Sequence, residues 1–428
     1  MTHKVRDSQL LSLFQLRILA TVGGALEFFD FTLFMLFSPW LAQAFFPEQS
    51  TLSGVMPVLL LFAAGHIVRP LGGFLFSHVG DCYGRKRVFL WTVVLMSFST
   101  LGIGLLPGHA VLGEYAAVAL LVLRLLQGLS LGGELPGSIV FASEHSPGSL
   151  RGGTAGLIVF GVTSGNLLGS LCGLLLNVWL PEEDLATWGW RLPFLLGGSL
   201  GFIGYKLRKN ATETPVFEKA MQTKSLKKLP LLTVVHDVPW LLLKGSCIAM
   251  VPAIMISVFL FMPRYLAHYM GRTDMAAFSV TTSAFFMVCL IILGFSALSD
   301  CLGRKNLLIA GCVLLLLLAF VAFDFYDRGF ISTFCFLAFL AIPTGIIMSS
   351  YEGALVELFA TPVRNTGVAF CHNTAFAIFG GMTPVLLEQW CQSGYLWAPA
   401  VFISGGCLLM LAALLYVRDN TRCTLDQI

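Results

Sequence analysis

Along the chain, long apolar runs alternate with short polar breaks. A helix that crosses a bilayer needs about 20 mostly apolar residues. Twelve runs come close to that length or exceed it: near 17–46, 52–77, 88–107, 113–144, 153–180, 191–208, 240–266, 274–298, 306–324, 330–358, 364–390 and 395–417. They are called spans one to twelve below. The runs longer than a straight crossing requires must tilt, kink or project from the membrane. Pro70, Pro136, Pro252 and Pro384 fall inside runs, where packing has to satisfy the carbonyls they free.

The polar breaks repeat. Asp81-Cys82-Tyr83-Gly84-Arg85-Lys86 follows span two, and Asp300-Cys301-Leu302-Gly303-Arg304-Lys305 follows span eight, 219 positions later. One long polar connection, near 209–239, divides six spans from six. The expected fold is therefore an all-α membrane protein of twelve transmembrane helices in two pseudo-symmetric six-helix halves. These halves are residues 1–208 and 240–428, joined by a basic cytoplasmic loop at 209–239 whose Leu229–Val235 stretch could lie on the membrane surface.

Composition supports this class. The chain has 428 residues, 57% hydrophobic and 11% charged, against about 25% charged in soluble domains. The net charge of +3 says little; its placement says more. Of the 26 Lys and Arg, twenty lie on the side of the termini and the loop motifs. Four lie on the other (Arg191, Arg264, Arg272, Arg328), and Arg69 and Arg124 lie within spans. By the positive-inside rule both termini are cytoplasmic. The eleven cysteines show no metal-ligand spacing and read as small membrane-helix residues. No phosphate-binding G-x-x-x-x-G-K loop occurs, so ATP is not the direct driver.

Five stretches carry a resemblance: Ala25-Leu26-Glu27-Phe28-Phe29-Asp30-Phe31; Arg69-Pro70-Leu71-Gly72-Gly73 running into Gly80-Asp81; Arg124-Leu125-Leu126-Gln127-Gly128 through Gly132-Gly133-Glu134; Trp188-Gly189-Trp190-Arg191-Leu192-Pro193-Phe194; and Glu213-Thr214-Pro215-Val216-Phe217. In this order they resemble a major facilitator superfamily transporter of the metabolite:proton symporter branch, which includes carriers of proline and betaine, oxoglutarate, citrate and shikimate. Cys82 and Cys301 stand where that family's loop motif has a basic residue. The resemblance implies a secondary active transporter working by alternating access, not an enzyme, in a bacterial inner membrane. Its partners would be a small polar metabolite, a proton and the bilayer. No cofactor, metal or nucleic acid is expected, and the chain is expected as a monomer. The alternatives are a proton-independent facilitator or exporter, or a transport-dead membrane sensor.

The candidate residues follow from cost. A carboxylate near the midplane is expensive unless protonated or paired, which suits a proton carrier. Glu27 lies roughly 15 Å into span one, and Asp30 follows at i+3, facing nearly the same way. Glu134 is expected near the midplane of span four. Arg124, ten residues before it, either couples to the proton or bonds helix carbonyls. These four form the expected proton-coupling set.

Arg69 in span two is permanently charged and needs an anionic partner. With His66, Phe29, Asn373 and Glu352 it forms the expected substrate set. The second half offers little charge within its spans, only Glu352 and Glu357, so coupling is expected in the first half. Gly380-Gly381-Met382-Thr383-Pro384 could break span eleven. The loop motifs supply the expected gate: Asp81, Gly84, Arg85 and Lys86 in one copy, and Asp300, Gly303, Arg304 and Lys305 in the other. Each Asp could cap a neighbouring helix and pair with its Arg, latching the halves together until that side opens.

Arg69 and Arg124 against Glu27, Asp30 and Glu134 balance once one acid is protonated. A di- or tricarboxylate would need surplus positive charge to pair each desolvated anion. The inventory therefore favours an amino-acid or betaine-like zwitterion over an organic acid, its ammonium resting on Phe28, Phe29 or Phe31.

Overall fold

The computed structural model describes residues 2–48, 52–83, 85–133, 135–144, 146–209, 236, 238–329, 332–361, 363–421, 423 and 425. Its side chains are described except at 2–17, 19, 77–83, 85–87, 89, 203–204 and 207–209. Asp81, Gly84, Arg85 and Lys86 of the first loop motif, Glu134 of span four, and most of the 209–239 connection thus lie outside what is described.

The described chain is helical in every span, as lipid requires of a backbone that must satisfy its own hydrogen bonds. Among the described residues, nine helices are long and apolar enough to cross a membrane alone. A tenth span is the pair Ala20–Leu36 and Ser38–Phe45, bent by 61°. Spans three and six complete the twelve as shorter helices, with an apolar stretch Leu90–Leu105 and the helix Arg191–Lys209. The Gly380-Gly381 stretch does not break span eleven. A π-helical turn, Phe376–Gly380, joins Arg364–Ala375 to Gly381–Gln392.

Two close contacts position the centre. The first joins spans two and four. A Cβ on Gly128 would overlap the Gly65 carbonyl oxygen, and one on Gly132 would overlap that of Arg69. Only glycine lets these backbones touch. The contact sets Arg124 across Gly65, where an added Cβ would lie 2.7 Å from its Nε.

The second contact is span five, Arg151–Trp179. The i, i+4 row Gly161, Gly165, Gly169, Gly173 reads as one packing face. In the structure the row turns. Gly161 and Gly165 press on the Thr21 and Ala25 carbonyls of span one, whereas Gly173 meets the Phe278 ring of span eight. Four residues advance the helix by 400°, so each step drifts about 40° and three steps carry the row to another neighbour. Span five thereby touches both halves of the chain.

The prolines are served from across the bundle. Pro384 frees the carbonyl four residues before it, Gly380, and the Ser257 hydroxyl donates to that oxygen at 2.7 Å. Pro136 frees Gly132, and Asn373 Nδ2 of span eleven donates to that carbonyl at 2.9 Å. Asn373 thus ties the second half to the first.

Candidate functional site

Arg69 is fully buried where spans one, two, ten and eleven meet. Its guanidinium lies 5.0 Å from the Phe376 ring centroid and 5.9 Å from those of Phe28 and Phe31. Its Nη2 donates to His372 Nε2 at 3.3 Å. A guanidinium can only donate, so Nε2 is the acceptor and the proton sits on Nδ1. That Nδ1–H in turn donates to Glu352 Oε1 at 2.7 Å. Arg69, His372 and Glu352 are 0% exposed, and the chain of bonds crosses between the halves. Glu27 and Glu352 act electrostatically on Arg69 from spans one and ten. Arg69 Nε and Nη1 and Glu352 Oε2 have no hydrogen-bond partner among the described residues.

Arg124 occupies a neighbouring aromatic box. Its guanidinium carbon lies 3.8, 4.5 and 4.9 Å from the ring centroids of Phe31, Phe34 and Phe62. Nη1 donates to the Phe31 carbonyl at 3.1 Å and to Gln127 Oε1 at 3.0 Å. Gln127 Nε2 donates on to Thr100 at 2.9 Å, and Thr100 also faces the Asp30 carboxyl. Of the two expected roles for Arg124, carbonyl bonding is the one this geometry displays.

The structure separates some residues that spacing had grouped. Glu27 addresses Arg69, but Asp30 turns to Thr100 of span three and to Gly197 of span six, where an added Cβ would strike Asp30 Oδ1. The Phe29 ring also packs on Gly197, so among the three phenylalanines Phe28 and Phe31 flank Arg69 instead. One residue turns a helix by 100°, enough to move Phe29 to the peripheral side. His66 sits nearby, edge-on to Phe31 and beside Phe62, with ring centroids 4.7 and 4.5 Å away. Its Nδ1 faces the Phe62 carbonyl at 3.2 Å.

At the end of the bundle carrying the second loop motif, the halves are joined by charge. Asp300 caps the N-terminus of span five: Oδ1 accepts from Gly152 N at 2.8 Å and Oδ2 from Gly153 N at 3.2 Å. Arg304 Nη2 pairs with Asp300 at 2.7 Å, and its Nη1 with Glu357 at 2.6 Å. Arg151 of the first half meets Glu357 at 2.7 Å, and Arg364 meets Glu144 of the first half at 2.9 Å. Gly303 turns the chain at φ +90°, where an L side chain is strained. Lys305 takes no part in the bridge; its Nζ donates to the Val417 carbonyl at 2.8 Å, within its own half. The opposite end is joined by rings: Phe278 of span eight lies 6.1 and 6.0 Å from Phe37 and Trp40.

The charge inventory of the second half was too small. Glu388 of span eleven is fully buried and pairs with Arg264 at 2.8 Å. His372 lies outside the expected substrate set, although Asn373 beside it belongs to that set and His372 bonds both Arg69 and Glu352. The polar run His372-Asn373-Thr374 in an apolar span was the available signal.

A family model described as the Major Facilitator Superfamily matches residues 20–381. Among curated relatives, a proline/betaine transporter of Salmonella typhimurium is 31% identical, with 90% of this chain and 79% of that one covered. A putative proline/betaine transporter of Staphylococcus haemolyticus is 30% identical, covering 90% and 83%. The glycine betaine/proline/ectoine/pipecolic acid transporter OusA of Dickeya dadantii is 30% identical, covering 94% and 82%. In fold, the chain resembles the partially occluded inward open conformation of the xylose transporter XylE from E. coli (TM-score 0.76, 17% identity, 95% and 98% covered). Twelve spans, a twice-written loop motif and a match over most of the length converge: the chain belongs to the Major Facilitator Superfamily and is a multi-pass secondary transporter, not an enzyme.

Proposed function

We propose that this protein carries a betaine- or proline-like zwitterion inward together with a proton, by alternating access of its two six-span halves. One observation carries the reading: Arg69, fully buried among aromatic rings, keeps Nε and Nη1 uncommitted among the described residues. A buried guanidinium with free donors is matched by a carboxylate. The rings of Phe28, Phe31 and Phe376 offer faces to the cationic end of the same solute. The names of the relatives support this class.

Glu27, Asp30 and Glu134 are the carboxylates of the first half able to take up a proton. Asp300, Arg304, Glu357 and Arg151 form the gate that parts when the loop-motif side opens. That side is the cytoplasmic one, with both termini, by the distribution of Lys and Arg. Bacterial relatives favour an inner-membrane location.

Uptake of labelled glycine betaine into proteoliposomes, with and without an imposed inside-alkaline gradient, tests this. Accumulation that collapses with a proton ionophore, competed by proline but not by citrate or oxoglutarate, is the expected result. Equal uptake without the gradient would make the protein a facilitator. Competition by citrate or oxoglutarate alone would make the substrate an organic acid.

A further inference from the structure

The relay from Arg69 through His372 to Glu352 has a property that the carboxylates of span one lack. It joins the two halves through a group able to hold only one proton more. In the observed arrangement the guanidinium is positive, the imidazole neutral and Glu352 an acceptor, so the set is balanced. His372 accepts from Arg69 only while Nε2 is bare. A proton on Nε2 turns both ring nitrogens into donors and sets two cations against each other in a dry site, so the bond to Arg69 must break.

We propose that His372 and Glu352 hold the transported proton, and that loading them releases Arg69 from the second half to grip the carboxylate of the substrate. The inference rests on the zwitterion reading above and names its proton site. The balance is simple. One proton comes from the medium to Nε2, the Arg69 hydrogen bond to Nε2 is lost, and the bond from Nδ1–H to Glu352 is kept. Arg69 then offers three donor nitrogens to the incoming carboxylate. Imidazolium, guanidinium and the substrate's cationic end then face Glu352, Glu27 and the substrate's carboxylate, three charges of each sign, so each ligand favours the other. The observed relay returns once both have left, because Nε2 must be bare to accept from Arg69.

The surroundings fit a single switchable proton. From span ten, Tyr351 lies with its ring 6.5 Å from that of His372. The Tyr351 hydroxyl also bears on Glu352, and from span eleven the Phe376 ring stacks on His372 at 4.4 Å while the Cys371 thiol donates away, to the Leu242 carbonyl. From span two comes Arg69, and from span one Glu27 acts through it. Phe376 thus touches both members of the relay, 4.4 Å from the imidazole and 5.0 Å from the guanidinium.

The test is proton uptake on binding. Purified protein in weakly buffered detergent is titrated with glycine betaine while pH is recorded, and binding is followed separately by thermal shift. Wild type is expected to take up about one proton per betaine, the limit for one linked site. Glu352→Gln and His372→Gln keep hydrogen-bonding side chains at these positions and are expected to bind betaine more weakly, so saturation needs more solute, and with no proton uptake at saturation. In proteoliposomes they should exchange betaine but not accumulate it under a pH gradient. Undiminished proton uptake in either well-folded variant overturns the inference and returns the proton to span one. Binding by wild type without any proton uptake also overturns it. If wild type binds no betaine, the substrate reading itself has failed, and the inference falls with it. A variant that does not elute as a monodisperse peak is replaced by the other, so one well-folded variant decides.

Discussion

The two charged regions of this molecule are built on opposite terms. At the loop-motif end, Asp300, Arg304, Glu357 and Arg151 form a closed set in which carboxylates and guanidiniums meet at 2.6–2.7 Å and the Asp300 oxygens also cap a helix. At the centre, Arg69 and Arg124 are equally buried, yet each keeps two nitrogens without a partner among the described residues. Desolvating a charge is costly and is offset only by good pairing. In the latch every oxygen of Asp300 and Glu357 has a partner and Arg151 and Arg304 each leave only Nε over, while at the centre Arg69 and Arg124 each leave two nitrogens and Glu352 leaves Oε2, among the described residues. A paired network marks a conformation being held, and a half-paired one marks a place for cargo.

Removing one member of each set should have opposite consequences. Arg304→Met strands Asp300 and Glu357 and should cost about 3–5 kcal/mol, as for other broken buried pairs. A large fall in the thermal midpoint of purified protein checks this. Arg69→Met removes the cation that Glu27 and Glu352 act on but breaks a single side-chain hydrogen bond among the described residues, at 3.3 Å, and should destabilise less than Arg304→Met. It should nevertheless lower betaine uptake at least about 100-fold, equivalent to about 3 kcal/mol for a charge-assisted bond. Equal destabilisation by the two variants would erase the contrast.

Two smaller changes sharpen it. Gly128→Ala forces a methyl onto the Gly65 carbonyl and should cost about 1–3 kcal/mol as overpacking, while shifting Arg124 relative to Arg69. Reduced uptake with the latch intact, read by unchanged labelling of an engineered loop-side cysteine, is the expected pattern. Asn373→Leu removes the donor to the Gly132 carbonyl. It should cost about 1 kcal/mol, the net worth of one such bond, and lower the thermal midpoint only slightly.

How far the sequence could be read follows the same division. Span number, the twofold plan and the latch carboxylate were legible, because bilayer thickness dictates run length and Asp300-x-x-Gly303-Arg304-Lys305 repeats a local pattern. The centre was legible in part. Arg69 and Glu27 were identified by the cost of burying charge, and Glu352 by the same argument. Their arrangement was not legible, because lipid and protein core are both apolar and a membrane helix does not announce which face meets its neighbour. Of the three phenylalanines the sequence offers, Phe28 and Phe31 meet Arg69, and Phe29, the one in the expected substrate set, packs on Gly197. The role of His372 depends on the face that span eleven turns to span two, which rests on Gly381 packing against His66 and Ala63. Arg151 and Arg364 read as topology markers, since nothing in their local sequence reveals Glu357 and Glu144 across the interface.

The central claim is that Arg69 waits for a carboxylate. Glycine betaine and choline share a quaternary ammonium, but only betaine carries a carboxylate. Thermal shift of wild type and Arg69→Met with each solute separates the two ends of the site. At a hundredfold excess over its dissociation constant a ligand stabilises by about 2.7 kcal/mol. Betaine should raise the midpoint of wild type, choline should not, and neither should move Arg69→Met. Equal stabilisation of wild type by choline, or undiminished stabilisation of Arg69→Met by betaine, would contradict the claim.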